Sequence, residues 1–301
     1  MTASSDVFPA PAAAARPMAR TRPFLWSVRR ELWENRSIYL APLIAAAVVL
    51  FGVVLGHITS HQIVFQPHSA HPRQIPPIVA YLIAAFAIIV TSCIVGVFYC
   101  LAALNAERRD RSVLFWKSLP VSDLTTVLSK AVLPALILPA VTFVAIIATH
   151  LLMLVMDAAA AGLRGQSIAD LMGQLPLAQV WLDLAWALVM LAFWWAPVWG
   201  WLLLVSAWSK RMTFLWGVAP PLAICVVERI AFGTDYAWKL LHNRLVSGMG
   251  VGFTEEPRNH LEMPWPDPLP FFASPGLWAG LVVAAAFLAG AVWLRRRREP
   301  I

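Results

Sequence analysis

IVAYLIAAFAIIVTSCIVGVFYCLAAL, residues 78–104, decides how this chain must be read. Its 27 residues include no Asp, Glu, Lys or Arg. At 1.5 Å per residue a helix of this length reaches about 40 Å, more than the roughly 30 Å of a bilayer's hydrocarbon core. Water is absent at that depth, so the backbone must satisfy its own hydrogen bonds, and a helix does so within one segment. Reading outward from it, five further apolar runs of span length fall at 39–58, 127–156, 181–207, 212–232 and 276–294. The expected fold is therefore all-α, a polytopic membrane protein with six transmembrane helices.

Composition agrees. Hydrophobic residues make up 60% of the 301 and charged residues 13%, with a mean hydropathy of +0.70, well outside the range of a soluble domain. The net charge of +7 would suit a nucleic-acid binder if it formed one patch, but it alternates with the spans. Seventeen of the 23 basic residues lie before the first span, around the loop between spans two and three, between spans four and five, and after span six. Counted with the acids, one face carries about +10 and the other about −3. The positive-inside rule then places both termini and the short basic loops in the cytoplasm and argues against nucleic acid as a partner. Cys93, Cys100 and Cys225 all fall in apolar runs, which suits small buried side chains better than a disulfide framework. Nothing at the start reads as a cleavable signal, because the first apolar run comes late and has span length.

The chain divides into an Ala/Pro-rich cytoplasmic tail expected to be disordered (1–23), an amphipathic interfacial helix (24–37), the six-helix domain (38–294) and a basic tail (295–301). In the amphipathic stretch Leu25, Val28 and Leu32 share one face, Arg30, Glu31 and Glu34 lie mostly on the other, and Trp26 and Trp33 sit at the flank. That pattern suits a helix lying on the cytoplasmic surface. The loop after span two joins a charged half, Asn105 to Ser112, to an apolar half with Val113, Leu114, Phe115, Trp116 and Leu119. Exposed aromatics of this kind need lipid or protein to cover them. Pro120 stops any helix there, and Asp123 is expected to cap span three.

Prolines at 42, 134, 139, 197, 220 and 221 lie in or beside spans. The adjacent pair Pro220–Pro221 is the best hinge candidate by sequence. Trp194, Trp195, Trp199 and Trp201 crowd the middle of span four, where packing between helices is the ordinary use and substrate contact, at Trp195 for instance, the alternative. The largest outward segment, 233–275, contains an amphipathic stretch from Tyr236 to Val246.

Motifs of catalytic chemistry are few. There is no phosphate-cradling P-loop, no H-E-x-x-H and no G-x-S-x-G. His57, His61, His68 and His71 cluster in the first outward loop, with no carboxylate or thiol beside them in sequence to make a metal site. Asp183, Glu228 and Arg229 are ionisable residues in or near spans four and five; such groups mark pathways when they lie deep and meet water when they lie at the ends.

Three phrases carry a family resemblance: Arg30 to Pro42, Glu107 to Asp123, and Gly200 to Arg211. Over most of its length from about residue 24, the chain resembles the permease subunit of an ABC-2 type ATP-binding-cassette transporter. The resemblance implies six spans, an elbow-like surface helix, a homo- or heterodimer of permeases and a separate ATPase subunit. ATP and magnesium would be bound by that partner, and no cofactor by this chain. It also implies a coupling helix in the loop between spans two and three. Glu107, Arg108, Arg109, Asp110, Arg111, Phe115, Trp116 and Lys117 would meet the ATPase there. Asp183, Trp195, Pro220, Pro221 and Glu228 remain candidates for a pathway or gate. The expected location is a bacterial cytoplasmic (inner) membrane, with lipids as partners and export as the activity. The competing readings are a membrane-embedded lipid-modifying enzyme and a non-transporting scaffold or sensor.

Overall fold

A computed structural model describes residues 21–60, 77–109, 122–163, 165, 167–173, 175–247 and 268–297. Among them six helices are long and apolar enough to cross a membrane: 37–58, 78–109, 123–163, 177–194, 213–232 and 275–297. Among the described residues the protein is all-helical, and its six apolar helices make it a multi-pass membrane protein. Ahead of span one lies a separate helix, α1 (Thr21–Glu34). The chain turns at Asn35, whose side-chain amide donates to the Glu31 carbonyl at 3.0 Å, and span one begins at Ser37.

Two spans carry backbone interruptions, and proline accounts for both. Span three opens at Asp123, passes through a π-helical turn over Leu133–Ile137 and continues to Leu163. Pro134 and Pro139 each lack a donor for the ordinary ladder, and the Leu138 N–H reaches back five residues to the Leu133 carbonyl. The cap of this span is Ser122, whose hydroxyl accepts from the Thr125 N–H at 3.1 Å. Asp123 was expected in that role; it stands one position too late and sits in the first turn instead.

The fourth run, expected as one helix over 181–207, is two: Leu177–Trp194 and Ala196–Trp208. Pro197 leaves the Phe193 carbonyl without its partner four residues on, and the Trp195 N–H takes its place as a donor to Phe193 as well as to Leu191. By contrast, Thr213–Phe232 runs as one helix straight through Pro220 and Pro221.

Helices that assemble in lipid gain little from the hydrophobic effect and much from close approach, so small residues mark the contacts. The most extensive pairing joins Ala196–Trp208 to span six. A Cβ placed on Gly200 would stand 3.1 Å from the Ala284 carbonyl oxygen, and one on Gly290 3.1 Å from Leu204 Cδ1. Spans one, two and three meet over Ala46, Ala85, Ile88, Ala145 and Ile146. Span five is the outlier. Only 6% of its most apolar window is buried, against 28% for spans two and six. It is held by the Trp201 indole N–H donating to Gly217 O at 2.9 Å, a Phe98–Phe214 stack and an edge-on Trp208–Trp216 pair.

Candidate functional site

Where span two ends and span three begins, six charged side chains gather between four separate helices. Glu31 of α1 is 1% exposed and Lys130 of span three 2%. Lys130 Nζ bonds Glu31 Oε1 at 2.7 Å and Glu107 Oε1 at 3.0 Å. Arg30 Nη2 reaches the same two oxygens at 2.8 and 3.1 Å. The far oxygen of Glu107 accepts from Arg295 Nη1 of span six at 2.6 Å, and Arg295 Nε donates to Asp123 Oδ1 at 2.9 Å. The Tyr99 hydroxyl donates to the remaining oxygen of Glu31 at 3.1 Å. Three carboxylates thus face three cations, and the cluster is neutral as a whole. Removing an ion from water costs several kcal/mol, so charges survive at this depth only where partners replace the lost hydration.

The helix ends beside the cluster are tied in by neutral hydrogen bonds. Ser206 Oγ accepts from the backbone N–H groups of Leu104 and Asn105, each at 3.0 Å. Asn105 Nδ2 and Arg108 Nη1 donate to the carbonyls of Ser209 and Ala207 at 2.7 and 2.8 Å. They satisfy acceptors that the end of a helix leaves open. The electrostatics on α1 follow from this setting. Burial alone would lower the pKa of Arg30, but Glu31, Glu34 and Glu107 around it carry the balance above its ordinary value. Glu34 is raised, chiefly by burial, with Glu31 and Glu107 adding and Arg30 and Lys130 opposing.

This arrangement corrects the reading of the amphipathic stretch. Glu31 was assigned to the polar, outward face; it is the most buried residue of α1, while Leu25 stands 63% exposed. Val28 and Leu32 do pack against the core. The helix is rotated toward Lys130 because that cation, itself inside the bundle, needs a carboxylate. The signal was present in sequence: a lysine within the apolar run 127–156 is costly unless paired.

Of the residues expected in the coupling loop, Glu107 and Arg108 are buried and Arg109 is exposed. Asp110, Arg111, Phe115, Trp116 and Lys117 lie outside the described residues. The pathway candidates are scattered. Trp195 sits at the break in span four, its indole N–H buried without a partner among the described residues, and Pro220 and Pro221 lie within a continuous helix. Asp183 accepts from Gln179 Nε2 at 2.8 Å, and its other oxygen is buried with no partner among the described residues. Glu228 accepts from Thr234 Oγ1 and from the N–H groups of Tyr236 and Ala237, closing the start of the helix Tyr236–His242. Arg229 pairs with Asp235 at 2.6 Å. Among the described residues no hydrogen bond or ion pair joins Asp183 to Glu228, so the two do not form one polar centre.

The opposite end of the bundle holds a second network. His57 Nε2 meets Asp157 Oδ1 at 2.9 Å, and the Tyr81 hydroxyl donates to Asp157 Oδ2 at 2.7 Å. The Trp181 indole, which can only donate, bonds His150 Nδ1 at 3.2 Å. This leaves Nε2 of His150 as the protonated nitrogen, donating to the Tyr81 carbonyl at 3.0 Å. The first outward loop looked free of carboxylates in sequence; His57 finds one on span three. His61, His68 and His71 lie outside the described residues, and among those described no three metal-ligating side chains come together. Comparisons with protein-family models, with curated proteins and with solved structures each returned no match.

Proposed function

We propose that this chain is the permease subunit of an ABC-2 type transporter, one that forms the translocation path, takes its energy from a separate ATPase subunit and works as an exporter in a bacterial inner membrane. The observation that carries the reading is the buried charge cluster at the root of the loop between spans two and three. Glu107 stands just before that loop and Asp123 just after it, and one guanidinium, that of Arg295, holds both. A displacement applied to residues 110–121 is thereby passed to α1 and to spans two, three and six together. A rigid, charge-paired root of this kind suits a lever better than a slack connector does. The thin packing of span five favours a second permease subunit as the surface that completes it. The chain itself offers no nucleotide-binding loop, consistent with ATP and magnesium being held by the partner.

The test is co-expression with a Walker-A ATPase encoded beside this reading frame, followed by purification on a tag carried by the permease. The expected result is co-purification and ATP turnover that rises on assembly. Phe115→Ala combined with Trp116→Ala lowers both while leaving the permease in the membrane fraction. A permease that retains no ATPase, or a double variant that couples as well as the parent, rejects the proposal.

A further inference from the structure

The exposed side of α1 carries a device that neither the charge cluster nor the transport reading uses. Arg29 lies over Trp33, with its guanidinium carbon 4.7 Å from the ring centroid, and reaches Trp26 on its other side at 5.6 Å. The three residues fall three and four positions apart, so they share one helix face. Trp26 and Trp33 are 62% and 64% exposed. The carboxylates of this helix are engaged elsewhere, Glu31 in the buried cluster and Glu34 with Arg30. Beyond the turn at Asn35, span one also exposes Leu40, Leu43, Ile44 and Phe51, apolar side chains that lipid tails can cover in a membrane.

We propose that Trp26, Arg29 and Trp33 form a headgroup site for an anionic glycerophospholipid of the leaflet on the basic side of the protein. Each part of the face answers to one part of such a lipid. The guanidinium matches a phosphate diester, which it can engage through paired N–H donors. The indoles prefer the headgroup zone, where an apolar ring and one N–H donor are both used. Stacking between two rings fixes the guanidinium before the lipid arrives, so less side-chain entropy is lost on binding. The acyl chains would then run along the exposed side of span one. Such a site depends on neither the cargo nor an ATPase.

The experiment is native mass spectrometry of the full-length protein released from nanodiscs of equimolar phosphatidylglycerol and phosphatidylcholine. Retention of phosphatidylglycerol is expected to exceed that of phosphatidylcholine about fivefold, the size of one surface cation's attraction to an anionic leaflet. Arg29→Gln should bring the two lipids to parity, and Arg29→Lys, which keeps the charge, should preserve part of the preference. Trp26→Ala with Trp33→Ala should reduce it with the cation still present. Arg29 lies outside the buried cluster, so thermal unfolding of the purified protein serves as a check that each variant folds as the parent does. Equal retention of both lipids by the parent, or an unchanged preference in Arg29→Gln, overturns the proposal. So does loss of the preference on adding millimolar inorganic phosphate, which would mark the site as one for free phosphate. If phosphatidylglycerol protects the helix from proteolysis no better than phosphatidylcholine does, the face belongs to a protein partner and the proposal again fails.

Discussion

The two ends of the bundle are fastened by different chemistry. At the basic end, Glu31, Glu107, Asp123, Arg30, Lys130 and Arg295 pair across four helices, with side chains of 1–2% exposure at the centre. At the other end the chain Trp181–His150–Tyr81–Asp157–His57 carries a single carboxylate, and its His57–Asp157 contact is a third to a fifth exposed. The difference is one of consequence. Cutting a buried ionic cluster strands a charge, whereas cutting a neutral chain strands a dipole beside water. The first end is held together as one piece, and the second can rearrange at smaller cost.

Lys130→Met tests that contrast most severely. It leaves the Glu31 and Glu107 oxygens facing each other around Arg30, and one uncompensated buried charge typically costs about 3–5 kcal/mol. Asp157→Asn, at the other end, keeps the size and part of the hydrogen bonding and should cost about 1–2 kcal/mol. Thermal unfolding of the purified protein in detergent, both variants in parallel, provides the measurement. If the two shifts in Tm are equal, the ends are fastened alike and the contrast is wrong.

That contrast was half legible beforehand. The spans could be read because long apolar runs with few charges have one solution in lipid; four of the six begin and end within about five residues of where the sequence places them, and span three runs on to Leu163, past its expected end at 156. The break at Trp195 was within reach, since Pro197 stands where the ladder fails, whereas the adjacent pair at 220 and 221 leaves its helix unbroken. The charge cluster was harder. Glu31 and Lys130 are 99 residues apart, and helical periodicity ranks faces by hydropathy, so it sends a glutamate outward. Only a partner supplied by another helix reverses that, and pairing between helices is not written in a local pattern. The same holds for His57 and Asp157. Nothing in one loop reveals that a carboxylate 100 residues on will end beside it.

Arg244 sharpens the comparison from the neutral end, where a cation is held without any carboxylate among the described residues. Its guanidinium donates to the carbonyls of Trp194 and Gly276 at 3.1 and 2.8 Å and lies 4.3 Å above the Trp194 ring. The room for it is the missing side chain of Gly280, where a Cβ would overlap the guanidinium. Burial lowers its pKa from the ordinary arginine value. Arg244→Ala and Gly280→Ala therefore remove the same contact from opposite sides. Each should cost about 1–2 kcal/mol, and the double variant no more than the larger single one. Faster proteolysis within residues 233–275, with the rest of the chain still protected, is the expected readout. Additive costs in the double variant would show that the glycine serves span packing and not the arginine.

The smallest effect belongs to Glu34, and its sign is the informative part. Burial holds the folded-state pKa of this group above its unfolded value, so folding favours the neutral acid. The stability it contributes is present below the unfolded pKa and is lost as pH rises through the folded one. Glu34→Gln should accordingly match the parent at acid pH and become slightly the more stable protein toward neutrality. The side chain is 53% exposed, and solvent screening keeps such differences to a few tenths of a kcal/mol. Unfolding midpoints measured from pH 4 to 8 would show two curves that separate as pH rises. If instead the variant loses stability at neutral pH, the Arg30–Glu34 pair is a working part of the cluster. The charged lock would then extend onto the outer side of α1, beyond the buried oxygens of Glu31 and Glu107.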